Sequence, residues 1–498
     1  MCYPSKEEFI RLAKRGNLIP VYKEICADLE TPVSAFLKIS KSSDYGYLLE
    51  SVEGQEKIAR FSFIACNPSL IVAVKNKKLE ILHKKNNDGY EVSKSVDLGN
   101  PLVEIKKLMS GYKFVNIKGL PRFCGGLVGY IGYDITRFFE NIPNKNPHEG
   151  NIPDAMLMLT DTLLVFDHAA HKLKIVACAY LKDKSKKNVL SVYNESLEKI
   201  YKIIAELKQP LKLSSRILKS TGKIEYKMSK KDFAGMIAKA KSNIRKGDVI
   251  QVVLSQVLSS KTSIDSFSIY RNLRALNPSA YMFYLKCKGL QLVGSSPEML
   301  VRCENGVVTT RPIAGTRPRG KTENDDARLE KELLADKKEN AEHIMLVDLG
   351  RNDLGRVCDF GSVKVSEFMR IEKYSHVMHI VSEVRGKLKK GKDIYDVLQA
   401  AFPAGTVTGS PKVRAMEIID ELENSRRGPY AGAVGYFSFS GNLDTCITIR
   451  TIVVNKGTAY IQAGAGIVAD SVPAKEYKET LNKAKAQLEA IKGGVKCQ

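Results

Sequence analysis

Two strand-like runs, E-M-L-V-R (298–302) and V-V-T-T-R (307–311), flank an Asn305-Gly306 pair. Asn-Gly between apolar runs makes the two-residue turn whose twist matches the strands it joins. The chain must therefore double back here, and the two runs must pair antiparallel. The device recurs. Y-M-F-Y-L (281–285) is followed closely by L-Q-L-V-G (290–294), and 432–463 reads as a meander with turns at Ser440-Gly441-Asn442 and Asn455-Lys456-Gly457. In the first half, Y-G-Y-L-L-E-S-V (45–52), R-F-S-F-I-A (60–65), S-L-I-V-A-V (69–74) and K-L-E-I-L-H (78–83) are strand-like, with Asn76-Lys77 as a turn. Further strands are expected at 162–167, 171–179 and 249–255. Helical patterns cover 6–16, 192–207 and 231–246, the last capped by Ser229 and ended by Gly247. The expected fold class is α+β: large, mainly antiparallel sheets packed together with helices flanking them.

Periodicity is lost over 208–227, which divides the 498 residues into an N-terminal region (1–207) and a C-terminal region (228–498). No apolar run reaches membrane-spanning length, and M-C-Y-P-S-K-E-E-F-I-R has no apolar core, so a cytoplasmic protein without membrane contact is expected. The ten cysteines are scattered without a C-x-x-C pair, the pattern of reduced thiols. A net charge of +23 raises nucleic-acid binding as a class. The lysines, however, are spread along the chain and form no basic arm. No nucleic-acid partner is expected, and a basic surface equally attracts a small anion.

Residues 336–353, D-K-K-E-N-A-E-H-I-M-L-V-D-L-G-R-N-D, read as a helix capped by Asp336. Glu339 and Glu342 stand three apart on one face. A second helix near the C-terminus, with Pro473 in its first turn and Asp470 or Ser471 as cap, repeats the spacing with Glu476 and Glu479. Where two such faces meet, four carboxylates converge, which is costly without a cation. Oxygen-only ligands suit Mg²⁺. The same spacing also describes two amphipathic helices with solvated glutamates.

Other constellations bear on chemistry. Glu298 follows a Gly-Ser-Ser-Pro turn at a strand mouth, a place for a general acid or an ordinary strand end. R-P-I-A-G-T-R-P-R-G (311–320) offers Arg311, Arg317 and Arg319 as a carboxylate clamp, or a basic surface loop. In Y-S-H-V-M-H (374–379), His376 and His379 share a face only if the stretch is helical. F-P-A-G-T-V-T-G-S-P-K (402–412) is a loop before a helix with Ser410 as cap, and it lacks the Walker A spacing. Q-A-G-A-G-I-V (462–468) runs into Gly464-Ala465-Gly466, a turn able to present backbone N–H groups to an anion, with Arg450 one strand earlier. Together these point to an enzyme acting on a small polycarboxylate.

Seven strings in order resemble the chorismate-utilising enzymes, and within them the anthranilate synthase component I branch. They are G-D-V-I-Q-V-V-L-S-Q, S-S-P-E-M-L, R-P-I-A-G-T-R-P-R-G, E-N-A-E-H-I-M-L-V-D-L-G-R-N-D, Y-S-H-V-M-H, F-P-A-G-T-V-T-G-S-P-K and Q-A-G-A-G-I-V-A-D-S-V-P-x-x-E-Y. The resemblance is strong over 225–490 and looser over the first 180 residues. It implies that chorismate and ammonia give anthranilate and pyruvate, with Mg²⁺ as cofactor. By position, Glu342 and Glu479 match the metal ligands, supported by Glu339 and Glu476. Glu298 matches the acid that protonates the departing C4 hydroxyl, and His379 the histidine tied to the later elimination of pyruvate. Tyr430, Arg450 and the amides of Gly464, Ala465 and Gly466 would hold the side-chain carboxylate. Gly315, Thr316 and Thr406 would line the pocket. Gln251 stands where water-adding relatives carry a lysine base, and Ala314 where aminodeoxychorismate synthase, the alternative product class, typically has lysine. Both departures favour amination at C2.

No cysteine sits in a G-x-C-x-G elbow, so the resemblance implies a separate glutaminase subunit in a heterodimer or heterotetramer. It also implies tryptophan as feedback inhibitor. The matching positions are Leu49, Glu50, Ser51, Arg60, Ala280, Tyr281, Met282, Val434 and Tyr436, where a carboxylate would face the effector's ammonium beside apolar side chains.

Overall fold

The computed structural model describes residues 2–51, 60–85, 89–97, 99–147, 149–211, 222–374 and 377–493. Its strands form two large sheets, one of thirteen strands and one of twelve. The expected hairpins form. Asn305 and Gly306 both adopt positive φ, 51° and 79°, as the two-residue turn requires, and Arg302 pairs with Thr309 across it. Asn76 and Lys77 do the same between Leu70–Lys75 and Lys78–Lys84.

Both sheets run across the sequence division at 208–227. In the first sheet, Tyr45–Glu50 pairs with Tyr281–Cys287, with Leu49 opposite Phe283. In the second, Gly126–Ile131 pairs with Ala433–Ser438, with Gly129 opposite Gly435. The glycine-rich stretch is fully buried, and a Cβ at Gly129 would stand 2.0 Å from the Met156 carbonyl oxygen. Only glycine admits so close a neighbouring strand.

The sheets pack face to face over a shared core. Tyr47, Phe63 and Phe283 come from the first sheet, and Tyr130, Met158 and Tyr436 from the second. Phe123 stacks on Tyr436 with ring centroids 4.3 Å apart. Each such buried side chain contributes about 1.5–3 kcal/mol of transfer free energy. Helices cover the outer faces.

The helices follow the caps more closely than the expected boundaries. Lys230–Arg245 begins after Ser229, whose hydroxyl accepts from the Asp232 N–H at 3.1 Å. Lys337–Gly355 begins after Asp336, which accepts from the N–H groups of Lys338 and Glu339 at 3.0 and 3.2 Å. The helix expected at 192 starts earlier, at Lys186, because Ser185 caps it. Pro473–Lys492 begins after Val472 without a side-chain cap, since the Ser471 hydroxyl accepts from Val468 instead. Ser410 is likewise no cap. It pairs with Gln251 in a short strand, and Lys412–Leu422 follows Pro411. His376 lies outside the described residues; His379 is on the strand Val377–Lys387.

Candidate active site

A cavity of about 600 Å³ opens where the ends of several strands meet the two glutamate-bearing helices. The strand Gln251–Lys261 supplies Gln251, and its neighbour Thr458–Ile467 supplies Gly464 and Gly466. Glu298, Thr406, Tyr430 and Arg450 line the cavity, as do Gly315, Thr316 and His379. Glu339 and Glu342 come from Lys337–Gly355, and Glu476 and Glu479 from Pro473–Lys492. Residues far apart in sequence thus share one space.

Glu298 is buried, and burial pushes its carboxyl up to about 8, against the weaker pull of the Thr406 hydroxyl and the Lys483 ammonium. At neutral pH it holds its proton and can give it away. His379 has the opposite character. Burial lowers its affinity for a second proton. Its Nδ1 lies 2.9 Å from the Gly315 carbonyl oxygen and 3.1 Å from the Thr316 hydroxyl. The carbonyl only accepts, so Nδ1 carries the hydrogen and Nε2 keeps a free lone pair. One cavity therefore holds a neutral acid and a neutral base.

Gln251 donates weakly from Nε2 to Glu342 at 3.4 Å, and its buried amide oxygen has no partner among the described residues. Gly466 makes room for it: a Cβ there would stand 2.6 Å from Nε2. Gly464 does the same for Tyr430, whose hydroxyl would be 2.7 Å from a Cβ. These glycines are not the expected turn. They lie within the strand Thr458–Ile467, which pairs on as far as Val252 opposite Ile467. The Gly464 carbonyl accepts from Lys483 Nζ at 3.0 Å, so the Gly464 N–H points to that same open side. Ala465 is fully buried and does not line the cavity.

Arg450 sits at φ 52° with its guanidinium in the cavity wall. It donates to the Lys483 carbonyl, and among the described residues it makes no ion pair. Burial lowers its pKa. A half-buried arginine without an ion-pair partner is costly, and an anionic ligand relieves that cost. The other arginines are different. Arg311 pairs with Glu372, Arg317 with Glu332 and Asp336, and Arg319 with Asp326. The expected three-arginine clamp does not form, because protein carboxylates already occupy it.

The glutamates crowd one another. Burial and then the charge of Glu342 raise the Glu339 carboxyl. Burial raises Glu476, with Glu479 adding repulsion against the Ser471 hydroxyl. Glu479 pairs with Lys483 at 2.7 Å. Among the described residues, no three histidine, cysteine or acidic side chains are grouped to hold one ion. The four glutamates line one cavity as two pairs, one on each helix.

Lys483 and Gln487 also line the cavity and were not among the residues expected from sequence. Lys483 lies four residues after Glu479, a helical spacing that gives an acid a basic neighbour and could have singled it out. Gln487 carries no comparable signal.

A second, smaller cavity lies between the sheets. Leu49, Glu50, Ser51, Ala280, Tyr281, Met282, Val434 and Tyr436 line it, with Arg122, Arg302 and Asp444 at one side. Arg60 does not; its guanidinium grips Asp167 with two hydrogen bonds of 3.0 and 2.9 Å. The Glu50 carboxylate is engaged within the protein, accepting from Tyr270 and from Arg274 at 2.7 Å.

The sequence profile of the chorismate binding enzymes matches residues 47–489. This chain belongs to that family. Among curated relatives, anthranilate synthase component 1 from Acetivibrio thermocellus is 51% identical, covering 99% of both chains. That from Aquifex aeolicus is 47% identical over 98% of this chain and 97% of its own. The crystal structure of anthranilate synthase component I from Streptococcus pneumoniae superposes with a TM-score of 0.78 at 36% identity, covering 93% of this chain and 98% of that one. The isochorismate synthase MenF from Escherichia coli, 18% identical with a TM-score of 0.70, shares the fold. The expected two-sheet α+β architecture is that of these chorismate binding enzymes.

Proposed function

We propose that this chorismate-utilising enzyme is the aminase subunit of an anthranilate synthase, converting chorismate and ammonia to anthranilate and pyruvate in the cytoplasm. The observation that carries the reading is the pairing, in one cavity, of a protonated Glu298 with a neutral His379. The relatives' names supply the substrate.

Chorismate brings two carboxylates. Arg450, Tyr430 and the Gly464 N–H suit the one on its side chain. Glu342 and Glu479 would hold Mg²⁺, with Glu339 and Glu476 behind them; when bound, the ion offsets the charge of the ring carboxylate and orients it. Glu298 gives its proton to the C4 hydroxyl, which leaves as water while the ammonia lone pair forms the bond at C2 and the two ring double bonds shift towards C4; the new C2 ammonium then loses a proton, which restores the acid. His379 Nε2 then takes the C2 proton. The C3–oxygen bond breaks, the ring becomes aromatic, and the side chain departs as enolpyruvate, which takes a proton to become pyruvate. Gln251 is too weak a base to deprotonate water, which favours a nucleophile that arrives neutral.

A separate glutaminase subunit would supply the ammonia, since no cysteine here stands in a G-x-C-x-G elbow. Tryptophan would act at the smaller cavity as a feedback inhibitor.

The test uses the purified chain with chorismate, Mg²⁺ and high ammonium, and follows the product by fluorescence and chromatography. Anthranilate that disappears with EDTA, and does not form when glutamine replaces ammonium, is the expected result. A C4-aminated product would instead make the chain an aminodeoxychorismate synthase. Intact chorismate with a folded chain would defeat the reading.

A further inference from the structure

Glu423 and Arg427 form an ion pair four residues apart that is almost entirely inside the protein, with side chains 4% and 1% exposed. Its hydrogen bonds reach away from the segment that carries it. Arg427 donates from Nε to Glu423 at 3.0 Å and from Nη2 to Glu423 at 2.7 Å. It also donates from Nη1 to the Val407 carbonyl and from Nη2 to the Val253 carbonyl, both at 2.7 Å. Glu423 Oε1 accepts from the Ser255 N–H at 2.8 Å and from the Ser255 hydroxyl at 2.7 Å. The Ser255 hydroxyl in turn accepts from Gln462 Nε2 at 2.9 Å. The guanidinium lies over two rings, 4.8 Å from the Tyr133 centroid and 5.5 Å from that of Tyr430.

Three of these contacts, to Val253, Val407 and Tyr430, end on a wall of the active-site cavity, and Ser255 leads to a fourth lining residue, Gln462. Val253, Val407, Tyr430 and Gln462 all line it. Val253 is two residues from Gln251, and Val407 directly follows Thr406. The pair itself does not line the cavity, so it acts only through others.

A buried ion pair is weak evidence for stability, because well-packed apolar residues of the same volume often serve as well or better. What apolar residues cannot do is fix four separate backbone and side-chain groups at hydrogen-bond distances. Arginine suits the task because its planar fork holds several acceptors in set directions, which lysine's single point charge does not. The cation beneath Tyr430 also favours the ring electrostatically and holds it against Gly464.

We propose that Arg427 and Glu423 are positioning residues for the chorismate site, setting Tyr430, the Thr406–Val407 loop and the Gln251 strand in mutual register. This rests on the chorismate-utilising reading above. The groups so placed meet the ground-state substrate, so loss of the pair weakens chorismate binding more than it slows the bound complex.

Two variants test it, with chorismate KM, kcat, equilibrium chorismate affinity and Tm measured on each. E423L/R427M removes both charges at similar volume. The expected result is a folded protein with a lowered Tm, a chorismate KM and Kd raised about tenfold and kcat changed less than threefold. R427K keeps the charge and loses the fork, and is expected to raise KM at least fivefold while remaining folded. Should the double variant not fold, R427K decides alone. Wild-type KM in either folded variant overturns the proposal. Equal falls in kcat and kcat/KM with unchanged chorismate affinity overturn it as well. Wild-type protein that binds no chorismate defeats the functional reading, and the proposal with it.

Discussion

The Nδ1 of His379 lies 2.9 Å from the carbonyl oxygen of Gly315, and that contact decides which ring nitrogen is free to act as a base. The carbonyl's direction depends on Gly315, which has φ +65°. A Cβ there would stand 3.0 Å from Leu333 Cδ1 and 3.3 Å from Ile380 Cδ1. Gly315→Ala therefore meets both an unfavourable backbone region and a crowded wall. The expected cost is about 1–2 kcal/mol of stability. Turnover should fall about tenfold or more, because small displacements at a site are expensive. Steady-state turnover of chorismate and a thermal melt check both. A variant with wild-type kcat would show that this carbonyl does not orient the base.

Glu339 and Glu476 are each raised by burial and by a neighbouring glutamate. A divalent cation relieves that repulsion only in the folded state. Mg²⁺ should therefore raise Tm, by the equivalent of about 2.7 kcal/mol at a hundredfold excess over its Kd. Glu342→Gln and Glu479→Gln should each abolish turnover and most of the Mg²⁺-dependent shift while leaving the fold intact. Thermal melts across a Mg²⁺ titration provide the check. An undiminished shift in Glu342→Gln would remove that residue from the metal site.

Burial holds Glu298 protonated up to about pH 8, so kcat/KM should decline as pH rises through that value. Stability has a related sign. Below the ordinary value of 4.5 both folded and unfolded states carry the proton, and the group's contribution is intact. As pH rises the unfolded chain ionises first, and stability is lost progressively until the folded carboxyl also ionises near pH 8. Glu298→Gln removes this loss. The variant should be inactive, about 3–4 kcal/mol more stable than wild type between roughly pH 7 and 8, and little different near pH 4.5. Denaturant melts at the two pH values decide it. Equal stability at both would mean that the carboxyl is not held neutral.

The local devices were legible in the sequence because each is encoded by neighbours: the turn at Asn305-Gly306, the cap at Asp336, the glutamates three apart. What they assemble into was not legible. No periodicity says that Leu49 lies opposite Phe283, or that Gly129 lies opposite Gly435, since those pairs are hundreds of residues apart. The motifs placed Glu298, His379, Arg450 and the four glutamates in one cavity. They misjudged groups whose partners come from elsewhere. Arg311, Arg317 and Arg319 look free in a glycine-rich loop, yet carboxylates of other segments claim them. Gly464 and Gly466 look like a turn, yet the strand runs through them, and their lack of a side chain serves Tyr430 and Gln251 instead.

The smaller cavity allows a prediction that separates two of the expected effector residues. Glu50 lines the space with its carboxylate held by Arg274 and Tyr270, while Arg60 is turned to Asp167 outside it. Behind the lining, the Glu50 carboxylate ties the strand end that carries Glu50 and Ser51 to Tyr270 and Arg274, a charge-assisted anchor that a neutral amide cannot replace. Glu50→Gln should therefore raise the tryptophan concentration for half-inhibition at least tenfold, equivalent to about 1.4 kcal/mol or more, with chorismate KM unchanged. Arg60→Gln should change it less than threefold, because Arg60 is paired with Asp167 and does not line the cavity. Inhibition curves at fixed chorismate compare the two directly. If Arg60→Gln is the insensitive variant and Glu50→Gln is not, the effector does not use this cavity as the lining residues suggest.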